Sequence, residues 1–169
     1  MTRRGGFLTA VDGIPVPSVT AEEMREIDRI AVEETGPNLL QMMENAGRSL
    51  TELALARLPP GPRRTLVILA GGGGNGGGGI CAARHLANRG HQVLLCLADP
   101  GRLSTAAGAQ QAIFRHTQGR EVRIGELEGL RPDLVLDALI GIPDGTYRGV
   151  GLEVPALFGS GFIVPLRRA

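Results

Sequence analysis

The chain has 169 residues, 43% of them apolar, with 26 glycines and only 3% aromatic side chains; it is long enough for one domain with a real core and is no disordered tract. Its 17 acidic residues nearly balance 18 basic ones, leaving a net charge of +1 that argues against nucleic-acid binding, as does the scarcity of rings for base stacking. No run approaches the roughly 20 apolar residues of a membrane span, and all the basic residues are arginine, which excludes lysine-type phosphate loops and Schiff-base chemistry.

Residues 1–17 hold two arginines and a short apolar stretch broken by Asp12, Gly13 and prolines, so they read as a disordered leader rather than a secretory signal. Thr20 and Glu23 form a capping box that opens a helix to Glu34, with Met24, Ile27, Ile30 and Ala31 at helical spacing and Gly36-Pro37 as the stop. Asn38 and Gln41 open a second helix. On it Leu39, Met43, Ala46, Leu50 and Leu53 recur by threes and fours, which predicts one buried stripe, and Gly47 points to a close neighbour. Met42 and Met43 at this spacing read as core or interface rather than as a ligand patch.

Thr65 to Ala70 is an unbroken β-branched and apolar run, the pattern of a strand buried on both faces. Gly71 to Gly79, interrupted only by Asn75, predicts a loop whose glycines are free to adopt positive φ. Helix formers follow from Ile80 to Asn88, and Gly90 supplies a stop. In a strand–loop–helix unit, backbone N–H groups and the positive end of the helix dipole face the loop, so an anionic group such as phosphate belongs there. A flexible linker is the alternative, disfavoured by the buried strand and amphipathic helix on either side. Asn75 either offers its amide to a cation or phosphate, or takes a left-handed turn position. Gly71, Gly73 and Gly76 fit the dinucleotide pattern, with Asp99 placed for a ribose contact, although a run this rich in glycine fits almost any glycine pattern.

Gln92–Leu97 reads as a second buried strand, Ser104–Thr117 as a helix, Glu121–Ile124 as a short strand and Asp133–Asp137 as a fourth. This β/α alternation implies a parallel sheet that binds ligands at the carboxyl ends of its strands. Asp137 stands at such an end, either as a cap or solvated carboxylate, or with Asn75 as a hard oxygen ligand to a cation. The one apolar run in the tail, Phe162–Leu166, is broken by Pro165 and predicts no further βα unit. Cys81 and Cys96 are isolated, and His85, His91 and His116 make no zinc pattern, which fits a reduced cytoplasmic setting.

Three stretches resemble the NAD(P)H-hydrate epimerases, built on the YjeF-type N-terminal domain. They are EEMREIDRIAVEETG with NLLQMMENAGRSL, LAGGGGNGGGGICAARHLANRG, and DALIG at Asp137–Gly141. The resemblance implies a Rossmann-like three-layer α/β/α sandwich with a mostly parallel sheet, preceded by two N-terminal helices. It also implies a single domain over 18–169, incomplete at its C-terminus, forming a cytoplasmic homodimer without nucleic-acid or membrane partners. The implied activity is interconversion of the R and S forms of hydrated NADH and NADPH (NADHX, NADPHX). By position, Gly74, Asn75, Gly76, Gly77 and Gly78 match one substrate segment, and Gly141, Ile142, Pro143, Asp144, Gly145, Thr146 and Tyr147 match the other. Asn75 and Asp137 match the ligands of a potassium ion, and no catalytic acid or base is assigned.

Relatives usually carry G-x-G-N-N-G-G-D-G in the loop, so Gly74 and Gly78 here replace an asparagine and an aspartate. The turn IPDGTY departs from the usual small residues, and nothing beyond Gly151 matches the family's aspartate–proline–serine–glycine strand. These departures imply nucleotide binding with impaired turnover, or alternatively a non-catalytic YjeF-type module that binds a nucleotide or a protein. An NAD-dependent dehydrogenase is set aside because its catalytic histidine or tyrosine pattern is missing.

Overall fold

The computed structural model describes residues 7–9, 15–17, 19–58, 61–139 and 163–165, in two compact units, one up to Asn38 and one from Leu39. In the first, β1 (Phe7–Thr9) pairs antiparallel with β2 (Pro15–Pro17) within the expected leader. Helix α1 (Ala21–Ile30) opens on the expected capping box: Thr20 N–H donates to Glu23 Oε2 at 2.7 Å, and Glu23 N–H donates to Thr20 Oγ1 at 3.2 Å. It continues as one π-helical turn, Ala31–Thr35, which Gly36 ends at φ 111°.

The second unit runs α2 (Leu39–Arg57), β3 (Thr65–Ala70), α3 (Gly74–Asn88), β4 (Gln92–Leu97), α4 (Thr105–Phe114), β5 (Arg120–Val122), a 3₁₀ turn (Ile124–Leu127), β6 (Leu134–Ala138) and β7 (Ile163–Pro165). The strands form one sheet in the order β5-β4-β3-β6-β7, every pairing parallel. The tail run, in which no further βα unit was expected, supplies the edge strand β7, with Val135 opposite Ile163 and Asp137 opposite Pro165. Proline is tolerated at an edge, where no further strand asks for its missing N–H.

Strand β3 lies between β4 and β6 and is buried on both faces, as its unbroken apolar run requires. On one face Leu66, Ile68 and Ala70 pack with Leu50 and Ala54 of α2, Ile80 and Leu86 of α3, and Ala107 and Phe114 of α4. On the other, Val67 and Leu69 pack with Leu94, Cys96 and Val135 under Leu127 and Leu130. Among the described residues no helix is long and apolar enough to cross a membrane.

Helix α2 buries Met43 and Leu50 of the expected stripe but not the rest of it. Met43, Gly47, Leu50, Thr51 and Ala54 are buried, whereas Ala46 is exposed, Leu39 is 47% exposed and Leu53 41%. The reason is the approach to α3 at Gly47: a Cβ there would run into the side chain of Cys81, so the contact centres on Gly47 and turns Leu39 and Leu53 outward. Thr51 joins the buried face because its hydroxyl donates to the Gly47 carbonyl at 2.7 Å. Leu50, 4% exposed, reaches the main core. Leu50→Ala should cost about 2 to 5 kcal/mol in chemical denaturation, and a loss under about 1 kcal/mol would contradict this packing.

Candidate functional site

The glycine run is a loop for only three residues. Helix α3 already begins at Gly74, with Gly73 as an N-cap that makes no side-chain hydrogen bond. Positive φ is found at Gly36, Gly61, Gly90 and Gly129, and at none of Gly71–Gly79, so the glycines are there for proximity rather than for unusual backbone angles. A Cβ on Gly76 would overlap the carbonyl oxygen of Gly71, and one on Gly77 would lie 2.5 Å from Met43 Sδ. Among the described residues, Gly74 by contrast has nothing within 4 Å of that position, and Gly78 has Ala46 Cβ at 3.9 Å. The two positions where the expected family pattern has side chains therefore have room for one among the described residues.

The loop is held on both sides. Gly71 N–H donates to Ala138 O at 3.1 Å, and Gly72 O accepts from Ser104 N–H at 2.8 Å, tying the cradle to the ends of β6 and to the start of α4. Gly77 N–H donates to Gly73 O at 2.9 Å, the first full turn of α3. N–H groups ahead of it have no acceptor within the helix and, with the helix dipole, present a positive mouth. Asn75, partly buried, sits in this first turn rather than in a loop. At its far end α3 stops as expected at Gly90, φ 85°, whose N–H donates to Ala87 O at 2.9 Å while His91 N–H donates to Leu86 O at 3.3 Å.

Strands β3 and β6 are direct neighbours, with Leu69 opposite Asp137 and Ala70 opposite Ala138. The cradle and Asp137 thus leave the same, carboxyl, end of adjacent strands, where the strand order reverses. Asp137 Oδ1 accepts from Leu139 N–H at 3.0 Å. No ion pair compensates this partly buried carboxylate among the described residues. Asp99, at the end of β4, is exposed and accepts from Gly101 N–H at 3.0 Å. The second expected substrate segment, Gly141–Tyr147, lies outside the described residues.

A polar cluster not anticipated from the sequence joins α2 to α3 one turn beyond the cradle. Glu44 accepts from the Arg84 guanidinium, from the Cys81 thiol at 3.2 Å and from His85 Nε2–H at 2.8 Å. Partial burial pushes the Glu44 carboxyl up, but the hydrogen bonds from Arg84, Cys81 and His85 outweigh it and lower the pKa from 4.5 to about 2. Burial and the neighbouring Glu44 push the Cys81 thiol up to about 11, which leaves it protonated and a poor nucleophile. Glu44, Cys81 and His85 bring three ligand atoms within 4.8 Å of one another, the one such trio among the described residues. Arg84 Nη2 lies 3.5 Å from Cys81 Sγ and 3.2 Å from His85 Nε2 while also paired to Glu44, so the protein's own guanidinium fills the cation position. The i, i+4 spacing of Cys81 and His85 was the available sequence signal; their partner on another helix was not.

A parallel sheet with α2, α3 and α4 packed on it and a glycine-built helix N-terminus at its switch point defines a Rossmann-like α/β domain. The family described as YjeF-related protein N-terminus matches residues 39–167, and the chain belongs to it. NAD(P)H-hydrate epimerase of Dehalogenimonas lykanthroporepellens is 52% identical over 135 residues, which are 79% of this chain and 55% of that protein. Enhancer of mRNA-decapping protein 3 of Macaca fascicularis is 31% identical over 138 residues, 75% of this chain and 27% of that protein. The crystal structure of yeast ynu0 superposes with a TM-score of 0.76 over 88% of this chain and 68% of that one; at 20% identity the likeness is one of fold. The chain spans about half the length of the epimerase it matches.

Two outcomes follow from the geometry. Gly76→Ala should lower the denaturation midpoint, since its Cβ meets a backbone oxygen, whereas Gly78→Ala should be neutral or stabilise by up to about 1 kcal/mol through helix propensity; equal effects would refute the steric account. Because the Glu44 pKa is lowered on folding, its contribution is present above pH 4.5 and is lost as pH falls toward about 2. Stability measured across that window should fall more steeply in the parent chain than in Glu44→Gln, and parallel curves would remove Glu44 from the ledger of acid sensitivity.

Proposed function

We propose that this chain interconverts the R and S forms of hydrated NADH and NADPH. The observation that carries the reading is the pairing of an anion cradle with a carboxylate that has no ion pair among the described residues, at adjacent strand ends, in a chain 52% identical to an epimerase over 135 residues. The dinucleotide's pyrophosphate lies against the first turn of α3, and the hydrated ring is directed toward β6. There the C–O bond of the ring hydroxyl breaks, the oxygen leaves as water after taking a proton, and water re-adds to the opposite face with release of a proton. No oxidant or reductant is consumed.

A potassium ion belongs to the same reading. Asp137 offers a carboxylate with one oxygen engaged by a single backbone N–H, and Asn75 offers an amide oxygen, both hard donors of the type alkali cations take. Bound there, the ion supplies positive charge that lets a carboxylate and a pyrophosphate share one crevice. A second reading, a YjeF-type module that binds without turnover, is favoured by the similarity to a decapping enhancer and by Gly78, where the family pattern expected from the sequence has an aspartate.

One experiment separates them: chiral chromatography of the two NADPHX epimers with and without potassium chloride. We expect equilibration faster than in buffer alone, stimulated by potassium, reduced about ten- to a hundredfold in kcat/KM by Asp137→Asn and raised by Gly78→Asp, whose Cβ has room. Equilibration no faster than the uncatalysed rate in both the parent chain and Gly78→Asp would reject the epimerase in favour of the binding module.

A further inference from the structure

The trio Glu44, Cys81 and His85 lies apart from the cradle and takes no part in the proposed reaction. Cys81 and His85 stand one turn apart on α3, and Glu44 faces them from α2. Glu44 Oε2 is 3.2 Å from Cys81 Sγ, its Oε1 is 2.8 Å from His85 Nε2, and the ligand atoms all fall within 4.8 Å of one another. Zinc bonds of about 2.3 Å to sulfur and about 2.0 to 2.1 Å to nitrogen or oxygen put tetrahedral neighbours about 3.3 to 3.6 Å apart. The trio is therefore within roughly 1 Å of a three-ligand zinc shell. The cation in its midst is Arg84, and that cation is incompletely satisfied. Its Nη2 reaches Glu44, Cys81 and His85, but its Nε is buried with no hydrogen-bond partner among the described residues.

We infer that Glu44, Cys81 and His85 form a zinc-binding site that fastens α2 to α3, in which the ion takes the place of the Arg84 guanidinium. The inference is independent of the epimerase reading. In the exchange zinc displaces the thiol proton of Cys81 to solvent, His85 presents Nε2 with its proton moved to Nδ1, and one Glu44 oxygen makes the third bond. The divalent ion then stands against one thiolate and one carboxylate, so the cluster stays as neutral as it is with Arg84 in place. The released guanidinium turns to water, which hydrates Nε. A thiolate beside an imidazole selects zinc over hard cations such as magnesium and calcium, which prefer oxygen. The fourth position lies on the partly exposed Glu44 side, where a water completes the tetrahedron. Such an ion ties together the two helices whose contact at Gly47 sets the start of α3 over the sheet.

Cobalt(II), which binds the same ligand types more weakly than zinc and absorbs light, reports on the site in the untagged full chain. One equivalent should produce a thiolate-to-cobalt charge-transfer band, and zinc should bleach it by displacement. Cys81→Ala should abolish the band, while Cys96→Ala keeps it. In calorimetric titration with zinc, His85→Gln and Glu44→Gln should each weaken binding at least about tenfold, whereas Arg84→Gln, which removes the competing cation, should tighten it about tenfold. Zinc should also raise the denaturation midpoint of the parent chain and not that of Cys81→Ala. Absence of a thiolate band, a band that survives Cys81→Ala, or a zinc affinity unchanged or weakened in Arg84→Gln overturns the assignment. Glu44 and Arg84 are partly exposed, so the opposite effects of Glu44→Gln and Arg84→Gln on zinc decide the matter even if Cys81→Ala does not fold.

Discussion

Where α3 begins, backbone lies against backbone: the carbonyl oxygen of Gly71 occupies the space a Cβ of Gly76 would need, and Met43 of α2 fills the space beside Gly77. Each glycine in a helix costs roughly 1 kcal/mol relative to alanine, so a first turn made of them is unfavourable by itself. The compensation is the burial of Ile80, Cys81, Ala82 and Ala83 one turn later, all inaccessible to solvent. That packing brings the open end of α3 down onto the carboxyl edge of the sheet, where its N–H groups meet the ends of β3 and β6. The position of the proposed anion site is thus a by-product of close packing, and such a site needs no side chain of its own.

The Glu44 cluster works on the same contact from the outer side. Glu44 lies next to Met43, which abuts Gly77, and it binds three polar side chains of the facing side of α3, the buried Cys81 and the partly buried Arg84 and His85. Its side chain keeps 38% exposure, and that of Arg84 keeps 15%, so the ion pair is screened on one side and its value lies in direction as much as in energy. It fixes the rotation of α3 against α2. The stretch MMENAGR therefore reads physically as a methionine that fits a glycine gap, a carboxylate that latches the facing helix, and a glycine at 47 that lets the two helices approach.

What the sequence made plain were features written in local chemistry. The strands at 65–70 and 92–97 are unbroken apolar runs, and the capping box at Thr20 and Glu23 is a reciprocal pair three residues apart. The start of α3 was hidden because glycine is the poorest predictor of helix, and only neighbours distant in the chain, Met43 and Ala138, explain why it is tolerated. On α2 the burial of Met43 and Leu50 and the close neighbour at Gly47 were legible, whereas leucine periodicity cannot reveal that Thr51 and Ala54 face inward. Strand β7 escaped notice because three residues ending in proline carry no alternation, and the partner strand alone defines them. Of the candidate site residues, Asn75 and Asp137 were marked by residue type and strand position, whereas the Glu44 cluster exists only once two helices are packed.

The position of β3 at the centre of the sheet also bears on synthesis. Its neighbour β4 follows at once, but β6 does not, and even the N–H of Thr65 waits for the side chain of Asp133, 68 residues onward, with which it bonds at 2.8 Å. During translation one edge of the most apolar strand in the molecule therefore stays unpaired until β6 has left the ribosome tunnel. Such pairing across long sequence separation is slow, and an unpaired apolar edge invites contact with other chains. For a nascent polypeptide of this topology, the interval between the emergence of Ala70 and that of Ala138 is the period of greatest need for a chaperone.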